Sequence, residues 1–335
     1  MSAAEPSDPV EPQEAARLFE PLAGVSVLVA LSGGADSVAL LWLLWRWGGA
    51  GRLIAATVDH GLREGSHDEA VRAGAFAASL DVPHAILSWR GNKPETGIEA
   101  EARAARYALL EQHMAVEGAG WLVTAHTLDD QAETVLLRLA AGSGPSGLRG
   151  MRRLVKRSNG IMHLRPLLQV PKSRLVKVIQ ERGIPWSEDP MNADPAFARA
   201  RLRRSMDVLA REGLTNKRLA ILAQRMGRMD EAVEAAVDQA WARHVSGTGG
   251  DFRIAAEAFG LPEEITLRLL RRALASNEDI LSLRLDRLEA LAGALRDAFH
   301  EGASLVKTLA GMRVALTRNE LRITPAPPRR PRSPS

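Results

Sequence analysis

One short turn, "SGGADS" at residues 32–37, places small residues and an acid between two apolar segments. Glycines let backbone N–H groups converge, and a following helix adds positive potential at its N-terminus, so the turn predicts a nucleotide phosphate site. Asp36 would repel phosphates unless a cation lay between them, which predicts Mg²⁺ held by Asp36 against a pyrophosphate. The alternative is an ordinary tight turn with helix-capping serines. The turn consists of Ser32, Gly33, Gly34, Ala35, Asp36 and Ser37.

Two further polar clusters follow apolar runs that predict strands. Asp59 follows the run "LIAATV" (53–58), and "TAHTLDDQAET" (124–134) follows the run that begins at Trp121. The alternative explanation for two of its acids is favourable charge at a helix N-terminus that Thr127 caps. That explains one acid more easily than two acids beside a histidine. The candidate side chains of this second cluster are His126, Asp129, Asp130 and Glu133.

The segments that carry these residues predict an α/β fold. Apolar runs predict strands at 25–31, 53–58, 83–89 and 121–125. Helical patterns lie at 37–47, 66–80, 98–118 and 128–141. Alternating strands and helices predict βαβ units and a parallel sheet, whose ligand lies beyond the carboxyl ends of the strands. The turn and both clusters fall at such ends.

The second half of the chain changes character. "GSGPSGLRG" (142–150) predicts a mobile loop, because its glycines and proline prevent regular structure. A helix is predicted at 172–182, and helices rich in Arg, Ala and Leu follow from residue 196. The predicted domains are a disordered tail (1–20), a catalytic domain (21–213), a smaller, mainly helical domain with a terminal hairpin (216–324, hairpin 312–324) and a disordered basic tail (325–335).

Composition limits the function classes. The chain has 335 residues, of which 46% are hydrophobic and 25% charged, the balance of a globular protein long enough for two domains. It has no cysteine, which excludes disulfides, thiolate metal sites, iron–sulfur clusters and a catalytic thiol. No signal peptide or membrane span is apparent, so we expect a cytoplasmic protein without a membrane partner. A monomer and a homodimer both stay open.

Basic residues are concentrated locally, although the net charge is only +4 and the pI about 9.8. Such clusters suit a polyanion, and the alternative is a set of solvated faces. In "LRLLRRAL" we expect the leucines to face inward and Arg268, Arg271 and Arg272 to face outward, toward RNA. The clusters are Arg149, Arg152, Arg153, Lys156 and Arg157; Arg199, Arg201, Arg203 and Arg204; and Arg329, Arg330 and Arg332.

These strings together resemble a known family. "SGGADS" is the PP-loop of the N-type ATP pyrophosphatases, and within them the chain closely resembles the bacterial tRNA(Ile)-lysidine synthases. The specific string is His-x-x-Asp-Asp-Gln-x-Glu-Thr at 126–134, together with "GSGPSGL" (142–148). The other matches are "VDHGLR" (58–63), "GIEAEARAARY" (97–107), "RPLL" (165–168), "WSEDPMNAD" (186–194) and "FARARLR" (197–203).

The resemblance implies a Rossmann-like PP-loop domain and an ATP-dependent ligase. Family members adenylate the carbonyl oxygen on carbon 2 of the wobble cytidine of tRNA(Ile) with a CAU anticodon, and pyrophosphate leaves. The side-chain amine of free L-lysine then displaces AMP and gives lysidine. The implied cofactors are ATP and Mg²⁺, and the implied partners are that tRNA and lysine.

The resemblance also implies roles for individual residues. The implied catalytic residues are Asp36, Arg103, Asp129 and Asp130, with Arg103 beside the α-phosphate. Asp59 and His126 would bind ATP with the PP-loop. The implied lysine ligands are Asp129, Asp130 and Glu133, and which acid accepts the proton stays open. The implied tRNA contacts are Arg149, Arg152, Arg153, Arg199 and Arg203. For Arg103, the spacing alone favours an i,i+4 pair with Glu99 on a solvated face.

The chain differs from the family pattern at two positions, and three alternative functions are weighed against this one. The family usually has a second histidine where this chain has Thr127, and an asparagine where it has Ala200. A sulfur-inserting PP-loop enzyme is disfavoured because such routes generally use cysteines or a cluster. A PP-loop amidotransferase would leave the basic clusters without a role, and a non-catalytic ATP-binding module would not need the acids at 129–133.

Overall fold

The computed structural model describes residues 8–61, 65–90, 93, 98–187, 198–275 and 284–327. The chain forms two compact units, the first from residues 1–141 and 149–224 and the second from residues 142–148 and 225–335. This division differs from the predicted boundary at 212–216. The reason is that helix α9 (Asn216–His244) runs without a break through the point of division.

A six-stranded sheet forms the centre of the first unit. Its strands are β1 (Val27–Ala30), β2 (Leu53–Asp59), β3 (His84–Ser88), β4 (Trp121–Val123), β5 (Leu154–Lys156) and β6 (Met162–Leu164). Their order is β3-β2-β1-β4-β6-β5, and every pair is parallel except β5 with β6. The predicted parallel sheet and α/β class are confirmed. The strand order reverses between β1 and β4, which places a ligand crevice at their carboxyl ends.

Helices cover both faces of this sheet. Val27 and Val29 pack into one core, whereas Leu28, between them, packs into another, as the alternation of a strand requires. The first core takes residues from α1 (Pro12–Phe19), α2 (Ala35–Gly48), α3 (Ser66–Ser79) and α7 (Lys172–Gln180). The second takes residues from α4 (Ile98–Glu117). A third core joins α5 (Leu128–Ala140), α8 (Ala198–Arg211) and the start of α9.

The predicted disordered tail over residues 1–20 is corrected for the part that the structure describes. Ala15 and Phe19, four residues apart on α1, are both buried in the first core. Arg174 of α7 holds the segment, since its guanidinium donates to the Glu14 carboxylate at 2.8 and 2.6 Å and to the Asp8 carbonyl at 2.7 Å. Residues 1–7 lie outside the described residues.

The second unit contains helices and an antiparallel sheet. Its helices after α9 are α10 (Glu263–Leu274) and α11 (Leu285–His300). Its strands, in the order β7-β8-β11-β10-β9, are β7 (Val245–Thr248), β8 (Asp251–Ala255), β9 (Leu305–Leu309), β10 (Met312–Leu316) and β11 (Glu320–Pro325). The predicted hairpin is β10 with β11, whose register pairs Met312 with Pro325. The other three strands were not predicted. Pro325, where the predicted basic tail starts, is instead the last residue of β11. Residues 328–335 lie outside the described residues.

Two further predictions are corrected in this unit. The segment predicted to be irregular contains a short helix, α6 (Pro145–Leu148), and Ser146 Oγ donates to Asp230 Oδ1 at 2.7 Å. Arg268, predicted to face outward, is only 6% exposed. Its guanidinium donates to Asp230 and Glu234 at 2.8 and 2.7 Å, because the acids of α9 supply the countercharge that burial demands. Arg271 is exposed, as predicted.

Candidate active site

The turn between β1 and α2 has the geometry of an anion site. Gly33 has a φ of +82°, which favours glycine. Gly34 is the N-cap of α2 and makes no side-chain cap, so the first-turn N–H groups are available to an anion. Ser37 Oγ donates to the Gly34 carbonyl at 2.9 Å and accepts from Ser32 N at 3.1 Å, which fixes the turn.

Asp36 lies in the first turn of α2, and its surroundings change its acidity. Burial raises the pKa of its carboxyl to about 6, an effect that Lys172 opposes and that Asp130 and Asp129 reinforce. Lys172 Nζ lies 3.3 Å from Asp36 Oδ2. The ionised form of the Asp36 carboxyl is therefore less stable in this buried site than it would be in water.

The second oxygen of Asp36 fits a metal ligand. Asp36 Oδ1 is buried and has no hydrogen-bond partner among the described residues. A buried oxygen without a donor, beside a phosphate-binding turn, suits Mg²⁺. The described residues contain no group of three or more His, Cys, Asp or Glu side chains that could hold a metal. Mg²⁺ typically takes one or two protein carboxylates and completes its shell with water and phosphate oxygens.

Asp130 caps the helix that follows β4. Thr127 is the N-cap of α5, and its backbone N and its Oγ1 donate to Asp130 Oδ2 at 2.8 and 2.9 Å. Asp130 N donates back to Thr127 Oγ1 at 3.4 Å, which completes a capping box. The capping alternative raised from the sequence therefore accounts for these contacts of Asp130.

Asp129 joins three helices. Its Oδ2 accepts from Lys172 N, the first residue of α7, at 2.8 Å, and its Oδ1 accepts from Asn216 Nδ2 of α9 at 2.9 Å. A carboxylate at the N-terminus of α7 is favoured by the helix dipole. Asp129, Asp130 and Asp36 therefore form one acidic group at the carboxyl ends of β1 and β4.

Glu133 forms a buried ion pair with an arginine of α8. Its side chain is 4% exposed, and Arg203 of α8 contacts Oε1 through Nε and Oε2 through Nη2, the latter at 3.2 Å. Burial lowers the pKa of Arg203, but the pair with Glu133 outweighs it and the net shift is upward. Asp130 and Asp36 add to that upward shift, so Arg203 lies beside the acidic group. Glu133 therefore holds the Arg203 guanidinium in place. The roles of Glu133 toward lysine and of Arg203 toward tRNA stay predictions.

His126 lies at the end of a hydrogen-bonded relay. Arg165 Nη2 donates to His163 Nδ1 at 3.1 Å, so His163 carries its proton on Nε2 and donates it to Thr124 Oγ1 at 2.9 Å. Because Thr124 Oγ1 accepts from His163, its hydroxyl is placed to donate to His126 Nδ1 at 2.8 Å, and a neutral His126 in this arrangement carries its proton on Nε2. Burial lowers the pKa of His163 to about 2, with help from Arg165, so His163 is neutral.

Arg103 lies on α4 and not in the acidic group. Its guanidinium is exposed and lies 5.2 Å from the centre of the Tyr107 ring. It lines a cleft of about 560 Å³ with Tyr107, Glu111, Arg157 and Arg165. The side chain of Glu99, the other member of the predicted pair, lies outside the described residues.

Asp59 organises the loop after β2. Its Oδ1 accepts from Gly61 N at 2.9 Å and from Ser66 Oγ at 2.7 Å. Burial tends to raise its pKa, but the bonds from Ser66 and Gly61 outweigh this, so the pKa is lowered. These contacts explain a structural use of Asp59, and its role toward ATP stays a prediction.

The predicted tRNA contacts divide into several environments. Arg152 and Arg153 are exposed, and Arg153 Nη2 donates to the Leu18 carbonyl at 2.7 Å. Arg149 is half-buried. Arg199 lies in α8, and its side chain lies outside the described residues. Their contacts with RNA stay predictions.

Comparison with known proteins identifies the family. A PP-loop domain model matches residues 8–209. A tRNA(Ile)-lysidine synthase from Methylobacterium sp. (strain 4-46) is 45% identical over 333 residues, covering 96% of each chain. The synthase from Rhodopseudomonas palustris is 45% identical over 337 residues, covering 96% of this chain and 97% of its own. This chain belongs to the tRNA(Ile)-lysidine synthase family.

A solved structure supports the fold of the family's catalytic unit. The U34-tRNA thiolase NcsA from Methanococcus maripaludis, with its [4Fe-4S] cluster, has a TM-score of 0.54 and 19% sequence identity. The match covers 64% of this chain and 78% of that one. At this identity the likeness concerns the PP-loop fold alone. No helix in the described part of the chain is long and apolar enough to cross a membrane.

The two departures from the family pattern have structural roles here. Thr127, where the family usually has histidine, is 1% exposed and caps α5. Ala200, where the family usually has asparagine, is 4% exposed and lies in α8. The departure at Thr127 therefore removes one ionisable side chain but supplies a cap, and the relay to His126 is intact.

Three residues at this family's site were missed by the sequence reasoning: Lys172, His163 and Arg165. Lys172 carried a signal, because a cation at the first position of a helix is unfavourable with the helix dipole and calls for a partner. Arg165 begins the "RPLL" match, but nothing in its spacing predicted burial. His163 is a strand residue whose contacts depend on the neighbouring strand.

Proposed function

We propose that this protein ligates lysine to carbon 2 of the wobble cytidine of tRNA(Ile) with a CAU anticodon, with ATP converted to AMP and pyrophosphate. The observation that carries the proposal is the placement of the PP-loop and the acidic group at the reversal of strand order between β1 and β4. Near-full-length similarity to tRNA(Ile)-lysidine synthases supports the same reaction.

In the first step the carbonyl oxygen on carbon 2 of the cytidine attacks the α-phosphorus of ATP, and pyrophosphate leaves. The first-turn N–H groups of α2 bind phosphate oxygens. Asp36 would hold Mg²⁺, and the bound ion would offset phosphate charge. Lys172 and Arg203 are the cations beside Asp36, and they stabilise the negative charge of the departing group.

In the second step the lysine side-chain amine attacks carbon 2, the bond from that carbon to oxygen breaks, and AMP leaves with the former carbonyl oxygen. The attacking amine must first lose a proton, and a carboxylate of the acidic group accepts it. Asp129 suits the ammonium groups of lysine, since each of its oxygens accepts one described bond and has a second lone pair. His126, with its proton on Nε2, donates to an oxygen of the nucleotide.

Sulfur insertion is the nearest rival in the superfamily. NcsA carries a [4Fe-4S] cluster, whereas this chain has no cysteine. A cluster held by cysteine thiolates therefore cannot form here. The zero cysteine count, together with the acids at 129–130, favours ligation of an amine over transfer of sulfur.

A pyrophosphate-exchange experiment tests the proposed first step. Labelled pyrophosphate is expected to enter ATP when tRNA(Ile) with CAU is present and lysine is absent, because the adenylated cytidine then accumulates and reverses. Elongator tRNA(Met), which shares the CAU anticodon, is the matched control. Exchange that is equally fast without any RNA would contradict cytidine adenylation.

A further inference from the structure

A basic cleft on the first unit lies outside the acidic group. It has a volume of about 560 Å³ and is lined by Arg103, Tyr107, Glu111, Arg157 and Arg165. Three alanines spaced four residues apart on α4 form the rest of its lining. The lining of the cleft therefore combines small alanine side chains on one helix with three guanidinium groups.

Two of the three arginines have no anionic partner among the described side chains. Arg157 is neutralised, because its Nε pairs with Glu111 Oε1, while its guanidinium lies 4.7 Å from the centre of the Tyr107 ring. Arg103 contacts the same ring and no described carboxylate. Arg165 donates to the Arg152 carbonyl at 2.9 Å and to neutral His163. The cleft therefore carries an excess of positive charge.

Arg165 is the unusual member of this group. It is only 7% exposed, and its Nε is buried without a hydrogen-bond partner. Burial lowers the pKa of Arg165, a bond to Tyr107 opposes this, and Arg103 and Arg157 lower the pKa further. A buried cation without a countercharge is costly, and an anion in the cleft would remove that cost.

We propose that this cleft binds a phosphodiester of the RNA substrate, with Arg103 and Arg165 contacting its phosphate oxygens. A ligand that suits this cleft would carry an anionic group beside a flat, weakly polar group. A backbone phosphate beside a ribose or base supplies both, since bases stack on guanidinium planes and aromatic rings. The proposal rests on the proposed function in that the RNA is the tRNA to be modified.

The fold favours RNA over the triphosphate of ATP as the source of this phosphate. The PP-loop begins α2, which packs into the core on one face of the sheet. The cleft lies on α4, which packs into the core on the opposite face. The charged groups that act on Asp36 are Lys172 and the acids of α5, whereas Tyr107, Arg103 and Arg157 act on Arg165. The turn and the cleft are therefore surrounded by different charged groups.

Hydrogen bonds also connect the cleft to His126. Arg165 is the first member of the relay that runs through His163 and Thr124 to His126. A phosphate bound by Arg165 would thus lie at the opposite end of this relay from His126. This places the RNA strand beside the nucleotide-binding edge without occupying it.

The test compares single charge changes in the full-length protein. Arg103→Gln is the main variant because Arg103 is exposed and its loss leaves no buried group unpaired. Arg72→Gln, exposed on α3 against the other face, is the matched control. Filter binding of tRNA(Ile) with CAU at two salt concentrations, and ATP binding without RNA, are measured for each.

Arg103→Gln is expected to weaken tRNA binding roughly tenfold at low salt and to lower the salt slope by about one. ATP affinity should fall by a smaller factor than tRNA affinity, because Arg103 lies outside the acidic group that contains Asp36. Arg72→Gln should change tRNA binding less than about twofold. Glu111→Gln removes the carboxylate found among the described residues that line the cleft, so it should tighten tRNA binding at low salt by about two- to threefold. Arg165→Met should act like Arg103→Gln if it folds.

Two results would overturn the proposal. Lower ATP affinity with unchanged tRNA affinity would assign the cleft to the nucleotide, and no change in either affinity for Arg103→Gln and Glu111→Gln would leave it without a ligand. The proposed function fails by a different result, since a wild type that forms no lysidine can still show the expected loss of tRNA affinity in Arg103→Gln.

Discussion

At the scale of single residues, the proposed chemistry depends most on Asp36 Oδ1, which has no hydrogen-bond partner among the described residues. In that proposal the small residues of the turn bring α2 to the phosphate, and the charge that would hold the cation belongs to Asp36 alone. The pKa of about 6 for Asp36 means that this charge costs free energy to keep in the folded protein. Function and stability should therefore conflict at this position.

The first prediction concerns Asp36→Asn. Activity is expected to fall by about 10²-fold or more, because a charge contact to the departing pyrophosphate is lost. The same variant should be more stable than wild type at pH 7 by about 1–3 kcal/mol, since the unfolded carboxyl has its ordinary pKa and the folded one does not. Urea unfolding and steady-state rates measure both effects.

The pH dependence of that stability difference follows from the sign of the shift. A raised folded-state pKa means that the penalty is present above about 6 and absent below the ordinary pKa of 3.8. The stability gain of Asp36→Asn should therefore shrink as the pH falls from 7 to 4. A gain that grows over this range, or a variant with normal turnover, would contradict the assignment.

The second prediction concerns the relay to His126. Thr124→Val keeps the shape of the side chain but removes the hydroxyl that donates to His126 Nδ1. We expect kcat to fall roughly tenfold with little change in KM for ATP, because the proton position on His126 is no longer fixed. Thr124→Ser keeps the hydroxyl and should recover most of the rate. Equal rates for the Val and Ser variants would mean that the relay has no catalytic consequence.

At the scale of elements, the N-terminus of α5 shows how one segment serves both structure and chemistry. Thr127 and Asp130 form a capping box, while Asp129 bonds the N-terminus of α7 and Asn216 of α9. Gln131 also binds the chain beyond α6, since its amide donates to the Met151 carbonyl at 3.0 Å and accepts from Met151 N at 2.7 Å. Gly150, at φ +67°, allows this, since a Cβ would lie 2.6 Å from Gln131 Oε1.

The third prediction follows from the capping box. Thr127→Ala should destabilise the protein by about 1 kcal/mol, because the first turn of α5 loses its side-chain acceptor. Thr127→Ser keeps the oxygen and should cost only a few tenths of a kcal/mol by the same reasoning. Thermal unfolding measures both, and an Ala variant as stable as the Ser variant would contradict the cap.

Sequence patterns predicted the catalytic elements better than the contacts between them. Strands such as "VLVA" and "LIAATVD" were predictable because burial on both faces gives continuous apolar runs. Helix α1 was missed because its eight residues follow a segment rich in proline and acids. The pair of Glu133 with Arg203 was out of reach, since 70 residues separate them and only the docking of α8 on α5 joins them.

At the scale of the whole molecule, the second unit has its own core and its own polar network. Arg268 is at the centre of that network, with Asp230, Glu234 and Glu264 as partners. The Ser146 hydroxyl shares Asp230, so α6 is held by the same group. From the sequence, Arg268 was predicted to face RNA because the leucine spacing indicated only which face of α10 is buried. That spacing does not show that the acids of α9 pack against Arg268.

The fourth prediction tests this correction. Arg268→Ala should destabilise the second unit by about 3–5 kcal/mol, because it leaves Asp230 buried without a countercharge. Arg271→Ala, on the exposed side of α10, should stay within about 0.5 kcal/mol of wild type. Hydrogen exchange of amides in residues 225–275 measures both. Wild-type protection in Arg268→Ala would contradict a structural role for this arginine.

The ligation of lysine to the wobble cytidine is tested most directly by product analysis. Full-length protein is incubated with ATP, Mg²⁺, labelled lysine and a tRNA(Ile) transcript with a CAU anticodon, and the digested RNA is analysed by mass spectrometry. We predict one lysine per tRNA, located on the wobble cytidine, with one AMP and one pyrophosphate released for each. AMP formed without lysine in the RNA, or label at another nucleotide, would contradict it.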